Sequence, residues 1–380
     1  MANTRREFLS AVSTAAALSA LPTQVGASVT PAKLPSANCA PAMGIALVGL
    51  GAQSLRNVGP LLANPLAGNP LAGNPLAGNP LAGNPLLGNP LLGNPPVCRI
   101  SALVSGDASK AQAYAKAWSI DRSHVYDYDS FDRIVADEAI DIVYLAVPTG
   151  MHCELAVRAA KAGKHVFCES PMAIDSVECR EMIDAFTRHS RRLAVASAPL
   201  ARSSKCFGTI KSIDAAQSLR IEQPNSWRLD RALCGGGAVF QAGIDVLRTS
   251  RLWAGADPVW VIAQESKTDA QRFARIDESV TWTLGFDNGA IAHGAVSLNY
   301  QGQGHLRVQG QLASLSSEFP TQYQWSRADQ LRAFAGSIQG KPVIPDNRFN
   351  PLDAHEALQD VVLAEAIFRS IQERRQVQLG

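Results

Sequence analysis

A short apolar strand followed by a glycine turn constrains this chain more than any other feature. Ile45 to Val48 form an apolar run, Gly49 and Gly51 follow it, and the small residue Ser54 stands at the third position of a dinucleotide-binding fingerprint. In such a turn the first glycine permits the sharp bend, and the second lets the backbone approach a pyrophosphate. The third, small residue lets helix and strand pack closely. An ordinary strand-to-helix turn is the alternative, but the segments that follow favour nucleotide binding.

The first thirty residues, 1–30, are predicted to be a targeting segment and not part of the fold. Arg5 and Arg6 form a twin-arginine signature, and an apolar, alanine-rich stretch follows at 11–21. This stretch is shorter than the ~20 residues of a transmembrane helix, so it is typical of an export signal. We therefore expect export of the folded protein to the periplasm by the twin-arginine route, with no membrane attachment afterwards. A disordered basic N-terminus is the alternative.

A proline-rich repeat interrupts the segment after the glycine turn. Residues 64–93 are six pentapeptides, four of Asn-Pro-Leu-Ala-Gly and two of Asn-Pro-Leu-Leu-Gly, and a seventh begins at Asn94. A proline at every fifth position excludes a regular helix or a central strand. Gly51 and Ser105 are 54 residues apart, and 22 remain when the 32 residues of 64–95 are left out. Because ~20 residues are expected there, the repeat is predicted to be a surface insertion, with a binding role as the alternative.

The residues after the second apolar strand favour NADP as the cofactor. An NAD-binding chain usually carries a carboxylate at the end of this strand, where it bonds the ribose hydroxyls. Here that position is Ser105, and Lys110 lies about one helical turn further on. A hydroxyl and an ammonium suit a 2′-phosphate, which a carboxylate would repel. A helix cap followed by a solvated lysine is the alternative.

Composition excludes several classes of partner. The net charge of the 380-residue chain is +2 and 18% of its residues are charged, so neither nucleic acid nor an anionic membrane surface is indicated as a partner. The seven cysteines have no metal-ligand spacing, and no metal site is predicted. Most of the cysteines are expected to be buried apolar residues.

Apolar strands and helical segments alternate through the first half of the chain, which predicts an α/β fold with a doubly wound parallel sheet. After about residue 205, alternating apolar and polar residues predict antiparallel strands, and an amphipathic helix preceded by Asp353 closes the chain. The predicted helices in the first half are 111–118, 128–135, 152–162 and 176–188, and the predicted later strands are 279–286, 290–298 and 305–308.

The chain resembles the Gfo/Idh/MocA oxidoreductase family and, within it, the periplasmic glucose–fructose oxidoreductases. The resemblance covers about Gly44 to Val377, apart from the repeat. The residues that carry it are Gly49-Leu50-Gly51, Ser105-Gly106 with Lys110, Val147-Pro148-Thr149 with His152, the run from Ala162 to Glu169, Trp227-Arg228-Leu229 and Gly235-Gly236-Gly237.

This resemblance implies two domains after an N-terminal arm at 31–43. The first, 44–196, would be a Rossmann domain that holds NADP, with Pro148, His152 and Glu169 among the cofactor-binding residues. The second, 197–380, would be an α+β domain for substrate binding and oligomerisation. Its large, open, mostly antiparallel sheet often builds oligomers in such families, so a homo-oligomer is expected. The implied substrate is a sugar or a polyol.

The three catalytic positions that the resemblance implies are all substituted. The family's Glu-Lys-Pro lysine is replaced by Ser170, and the aspartate and the histidine or tyrosine after the triple glycine are replaced by Gln241 and Asp245. Serine has no useful pKa near neutrality and no positive charge to stabilise an alkoxide. Asp245 is the candidate base, if burial raises its pKa. The alternatives are a non-catalytic NADP- or sugar-binding pseudoenzyme and a degenerate copy.

Overall fold

The structure, a computed structural model, describes most of the chain except the segments that carry the targeting motif and the repeat. The described residues are 42–51, 54–55, 97–197, 204–302, 304–319, 327–341 and 352–380. The predicted signal at 1–30, nearly all of the arm at 31–43 and the repeat at 64–95 therefore lie outside the described residues.

The first sheet has six parallel strands in the order β3-β2-β1-β4-β5-β6, and its order reverses between β1 and β4 as in a doubly wound fold. This confirms the predicted Rossmann sheet. Its central strands are almost wholly buried, because helices cover both faces of such a sheet. The strands are β1 Met43–Val48, β2 Cys98–Val104, β3 Val125–Tyr126, β4 Ile142–Leu145, β5 His165–Cys168 and β6 Leu193–Val195.

Three helices of this part are α1 Ala108–Ala117, α2 His152–Lys161 and α3 Ser176–Arg188, and aspartates cap the first and the third. The helix expected at 128–135 is wrong, since the structure has a 3-10 turn at Phe131–Ala136. The Ser130 backbone N–H donates to the Asp127 carboxylate at 2.7 Å. Such side-chain bonds compete with regular helix formation.

The second sheet has seven strands in the order β12-β11-β7-β10-β9-β8-β13. Only β7 and β10 pair in parallel among its described neighbours, so the expected mostly antiparallel sheet is confirmed. The strands are β7 Ile210–Ser218, β8 Pro258–Ser266, β9 Ser279–Phe286, β10 Ile291–Ser297, β11 Gly304–Gly310, β12 Ser314–Phe319 and β13 Val377–Gln378.

Four more helices complete the described fold: α4 Arg231–Cys234, α5 Ile244–Ala254, α6 Arg327–Ile338 and α7 Ala354–Glu373. A π-helical turn, Val239–Gly243, leads directly into α5. Helices α5 and α7 cover one face of the second sheet, whereas Ile262 and Ile291 are exposed on the strands. Helix α6 packs against the first sheet, where Phe334 contacts Phe167.

The described cysteines carry free thiols, and all of them except Cys206 are buried. This agrees with their expected role as small apolar residues. None of the described helices is both long and apolar enough to cross a membrane.

Candidate active site

The carboxyl ends of four neighbouring strands bring the candidate residues to one edge of the first sheet. Backbone bonds align this edge: Ala146 N–H donates to the Val48 carbonyl at 2.9 Å, and Glu169 N–H donates to the Leu145 carbonyl at 3.0 Å. The residues that follow β1, β4, β5 and β6 are Gly49, Ala146, Glu169 and, one residue further, Ser197. Ligands of open α/β sheets bind at this edge, outside the strand ends.

The glycine turn has the backbone geometry that its sequence predicts. Gly49 has φ +90°, and a Cβ atom there would lie 2.6 Å from the Ala146 carbonyl oxygen. Gly51 is exposed, and its nearest described neighbour would be 4.0 Å from a Cβ, so its backbone is open to a ligand. The Ser54 hydroxyl is buried and donates to the carbonyls of Gly49 and Gly51 at 2.5 and 3.1 Å. Ser54 therefore closes the turn.

Ser105 directly follows β2, and Lys110 is the third residue of α1, which begins at Ala108 and not at the predicted residue 111. The Ser105 hydroxyl is buried and accepts from the Asp107 N–H at 3.1 Å, while Lys110 is half-buried. The Asp107 carboxylate caps the helix, accepting from the Lys110 N–H at 3.0 Å. Bonds from Lys110 N–H and the Ser109 hydroxyl lower the pKa of Asp107. The Asp107 carboxylate thus bonds the backbone at the start of α1, and the ammonium of Lys110 is the cation of this segment.

His152 is a buried residue held between two backbone carbonyls. Its ring is 1% exposed, Nδ1 lies 3.0 Å from the Pro171 carbonyl, and Nε2 lies 3.0 Å from the Val147 carbonyl. Burial lowers the pKa of His152, and a neutral imidazole donates from one nitrogen only. The ring therefore donates to one of these two carbonyls, and it lies between the segment after β4, where Pro148 is half-buried, and the segment after β5.

Glu169 is buried in an ionic cluster that the sequence did not predict. The Tyr144 hydroxyl donates to Glu169, and the Arg327 Nε lies 3.1 Å from both carboxylate oxygens. Arg327 comes from the first turn of α6, and its Nη1 also donates to the Ser197 carbonyl at 2.7 Å. A guanidinium thus bridges the ends of β5 and β6. The residue type alone gave no signal, because Glu169 and Arg327 are separated by 158 positions.

Ser170 brings no charge to this cluster. It is half-buried, next to Glu169 in the chain, and a cis peptide bond joins it to Pro171. Among the residues that the structure describes, Arg327 is the cation in contact with Glu169. A positive charge therefore lies next to Glu169 in this structure, and it comes from α6 and not from position 170.

Asp245 lies in the first turn of α5 and belongs to the same electrostatic environment. Desolvation raises the pKa of Asp245, and the nearby Arg327 and Arg248 partly oppose that rise. The carboxylates of Asp360 and Glu169 add to it. A carboxyl group with a raised pKa near a fixed cation can accept and return a proton. Arg327 and Glu169 are in contact with each other, and Asp245 lies close enough to both for their charges to affect its pKa.

Gln241 lies four residues before Asp245, in the π-helical turn, and is bound to Arg228. Its Nε2 donates to the carbonyls of Arg228 and Gly236 at 2.8 and 3.2 Å, and its Oε1 accepts from Arg228 Nη1 at 3.2 Å. All these bonds use the amide group. Gln241 has no proton to exchange near neutrality, so its role is to orient Arg228.

The triple glycine is explained by a buried aspartate that sequence reasoning missed. A Cβ at Gly237 would lie 1.8 Å from the Asp277 carbonyl oxygen. The Asp277 carboxylate accepts from the N–H groups of Gly237 and Val239 at 2.6 and 2.8 Å. Asp277 thereby caps the helical segment that carries Gln241 and Asp245, although burial raises its pKa. No cluster of described residues could hold a metal ion.

Comparison with known proteins agrees with this architecture. The profile described as "Oxidoreductase family, NAD-binding Rossmann fold" matches residues 76–197, and that of the "GFO/IDH/MocA C-terminal domain" matches residues 201–316. An oxidoreductase of Rhizobium meliloti is 32% identical over 58% of this chain and 67% of its own length. The NADP-dependent D-xylose 1-dehydrogenase of Haloarcula marismortui is 31% identical over 62% of this chain and 69% of its own.

A solved structure extends the likeness to almost the whole chain. The crystal structure of aldose-aldose oxidoreductase from Caulobacter crescentus, complexed with glycerol, superposes with a TM-score of 0.70 and 27% identity. It covers 89% of this chain and 100% of the other. Together with the matching profiles, this likeness indicates a Rossmann fold of the NAD(P)-binding kind.

Proposed function

The chain belongs to the Gfo/Idh/MocA family of oxidoreductases, and on that premise we propose that it binds NADP(H) and transfers a hydride between this cofactor and a sugar or polyol. The observation that carries the proposal is the position of Asp245, whose raised pKa and neighbouring Arg327 suit proton transfer at a hydroxyl carbon. In this proposal an aspartate, and not a lysine, exchanges the hydroxyl proton of the substrate.

The residues at the sheet edge fit a dinucleotide. Gly51 leaves its backbone open, while Gly49 permits a turn that any side chain would obstruct. The choice of NADP rests on Ser105 and Lys110, which offer a hydroxyl and an ammonium to a 2′-phosphate. When bound, the nicotinamide accepts or donates the hydride.

The chain's own residues would then divide the remaining work. Asp245 accepts the hydroxyl proton during oxidation and returns it during reduction. Arg327 cannot be deprotonated in a protein, so it supplies a fixed positive charge beside the developing alkoxide. Glu169 and Tyr144 hold that guanidinium in place.

We further propose that the protein is exported by the twin-arginine route and works as a homo-oligomer. The export proposal rests on Arg5 and Arg6, and cell fractionation with and without an Arg5→Lys, Arg6→Lys double substitution tests it. The oligomer proposal rests on the exposed strand residues of the second sheet, Ile262 and Ile291 among them. A wild-type protein that sediments as a monomer would contradict it, and an Ile262→Lys variant as large as an oligomeric wild type would show that this surface is not the interface.

A second candidate is an NADP-binding protein without turnover. It is favoured by the amide of Gln241, which is fully engaged with Arg228 and Gly236, and by the serine at position 170. One experiment separates the two functions. The purified protein is tested for co-purifying NADP, and nicotinamide absorbance is followed while a panel of sugars and polyols is added.

Reduction of the bound cofactor by a sugar supports the enzyme, and an unchanged spectrum with bound NADP supports the second candidate. Absence of nucleotide binding contradicts both. For the enzyme, we expect the rate of oxidation to fall as the pH falls through the raised pKa of Asp245, because the base becomes protonated. Asp245→Asn should lower kcat about 10²- to 10⁴-fold, leave NADP affinity unchanged and remove this acidic limb.

A further inference from the structure

A cleft beside Gln241 is lined by the loop that follows β7. It has a volume of about 650 Å³ and lies between residues 218–228 and the segment at 301–302. Arg220 and Arg228 line it, with Glu222 as the one carboxylate among its lining residues. Arg228, which lines the cleft, is hydrogen-bonded to Gln241, and Gln241 lies in the π-helical turn that precedes Asp245.

Arg228 is half-buried and, among the residues that the structure describes, forms no ion pair with a carboxylate. Arg248, Arg251 and Arg327 each form an ion pair with a buried or half-buried acid. Arg228 instead bonds the Gln241 amide at 3.2 Å and stacks on Trp227, its Cζ lying 4.6 Å from the ring centroid. Desolvation lowers the pKa of Arg228, and no described carboxylate opposes that effect. A carboxylate at position 241 would neutralise Arg228, whereas the amide leaves its charge uncompensated.

A second arginine behind the same loop repeats the pattern. Arg272 is half-buried and donates through Nη2 to the Ile221 carbonyl, and Ile221 lines the cleft. The Arg272 Nε atom is buried with no hydrogen-bond partner among the described residues. Removing a cation from water without an anion is costly. Arg220 and Arg228 line the cleft with one carboxylate, Glu222, among the lining residues, and Arg272 lies behind it.

We infer that the cleft binds an anionic group of the substrate, so that the preferred substrate is a sugar that carries a carboxylate or a phosphate. This inference rests on the proposed function, because it identifies the substrate of the same site. The anionic group would bind the Arg228 guanidinium, and the carbon to be oxidised would face Asp245, four residues beyond Gln241.

Calorimetric titration of the purified protein, saturated with NADP+, tests the inference. The probes are D-glucose, D-glucuronate and D-glucose 6-phosphate, which are neutral, carboxylated and phosphorylated versions of one sugar. We expect at least one anionic sugar to bind at least about tenfold more tightly than glucose. High salt should weaken the binding of that sugar and not of glucose. Which anionic sugar binds identifies the source of the charge.

The substitution Gln241→Glu places a carboxylate beside Arg228, removes the two Nε2 donations, and should weaken the binding of the anionic sugar about tenfold more than that of glucose, with the affinity for NADP+ unchanged. Gln309→Glu, at an exposed position of strand β11, makes the same charge change as a control and should have no effect. Arg228→Gln should reproduce the loss if the first variant does not fold.

Each other result overturns the inference. Equal affinity for glucose and the anionic sugars contradicts it but leaves the proposed function intact, whereas binding of no sugar contradicts both. If the anionic sugar binds the Gln241→Glu and Arg228→Gln variants as tightly as the wild type, its anionic group binds outside this cleft. A parallel loss of NADP+ affinity in Gln241→Glu assigns Arg228 to the cofactor and not to the substrate.

Discussion

The glycine turn and the Asp245 cluster lie at the same edge of the first sheet but are built in different ways. The turn comes from one short segment, Gly49 to Ser54, and its geometry is fixed by backbone sterics and a serine hydroxyl. The cluster takes Glu169, Asp245 and Arg327 from three distant segments and depends on charge and burial.

Because the two halves of the site are built differently, different substitutions disrupt them. A backbone turn fails when a side chain is added, because its atoms have no room to move. An ionic cluster fails when one partner is removed, because a buried charge is then left without compensation. Three substitutions test this difference, and they follow in decreasing order of the expected loss of stability or affinity.

Removing the guanidinium from the cluster should have the largest effect. Arg327→Met leaves Glu169 buried without its cation, and the free energy of unfolding should fall by about 3–5 kcal/mol. Because Arg327 lowers the pKa of Asp245, the acidic limb of the pH profile should move to higher pH. Urea unfolding and pH–rate profiles measure both effects. Arg327→Lys is the control that keeps the charge, and it should restore most of the stability; equal losses in both variants would show that packing and not charge stabilises the cluster.

The second-largest loss of stability should follow from adding a methyl group to the glycine turn. Gly49→Ala puts a Cβ atom 2.6 Å from the Ala146 carbonyl oxygen and requires φ +90° of an alanine, so we expect a loss of about 2–3 kcal/mol. Gly51→Ala is the matched control, because a Cβ there is 4.0 Å from its nearest described neighbour. It should keep its stability and lose NADP affinity. Thermal unfolding and nucleotide titration distinguish them, and equal stability of the two variants would refute the steric account.

The smallest effect should appear at the far end of the nucleotide site. Lys110→Gln removes the ammonium near Ser105 and should weaken NADP binding by about 1 kcal/mol, roughly fivefold, with NAD unaffected. Lys116→Gln, on the exposed side of the same helix, is the control. Fluorescence titration with both nucleotides measures the ratio. A parallel loss of NAD affinity would mean that Lys110 does not discriminate between them.

The same contrast explains what the sequence could predict. The strand, the turn and the cap of α1 depend on neighbouring residues, so Gly49, Ser54 and Ser105 were found where the pattern placed them. The order of the first sheet followed from the alternation of strands and helices. The helix predicted at 128–135 forms only as a 3-10 helix from Phe131 because the side chains of Asp127 and Ser130 each bond the other's backbone N–H, a local competition that apolar periodicity does not register.

Only part of the Asp245 cluster could be predicted from the sequence. Glu169 and Asp245 were identified from their place in motifs, whereas Arg327 was not, because no motif surrounds it and its partner is 158 residues away. The raised pKa of Asp245 depends on burial by segments far apart in the chain. Arg228 belongs to the motif Trp227-Arg228-Leu229, but only the structure shows that it bonds the Gln241 amide and no described carboxylate.

The π-helical turn before α5 has a consequence for how this protein can change in evolution. Val239–Gly243 contains the extra residue that a π turn carries, and Asp245 follows within the first turn of α5. A π turn takes up one extra residue locally, so the helix beyond it keeps its orientation. Deleting one residue here would convert the turn to ordinary α-helix and leave α5 in register, whereas a deletion within α5 would rotate the residues beyond it by about 100°. The turn is therefore the place where this helical segment can change its length by one residue without turning Asp245 about the helix axis.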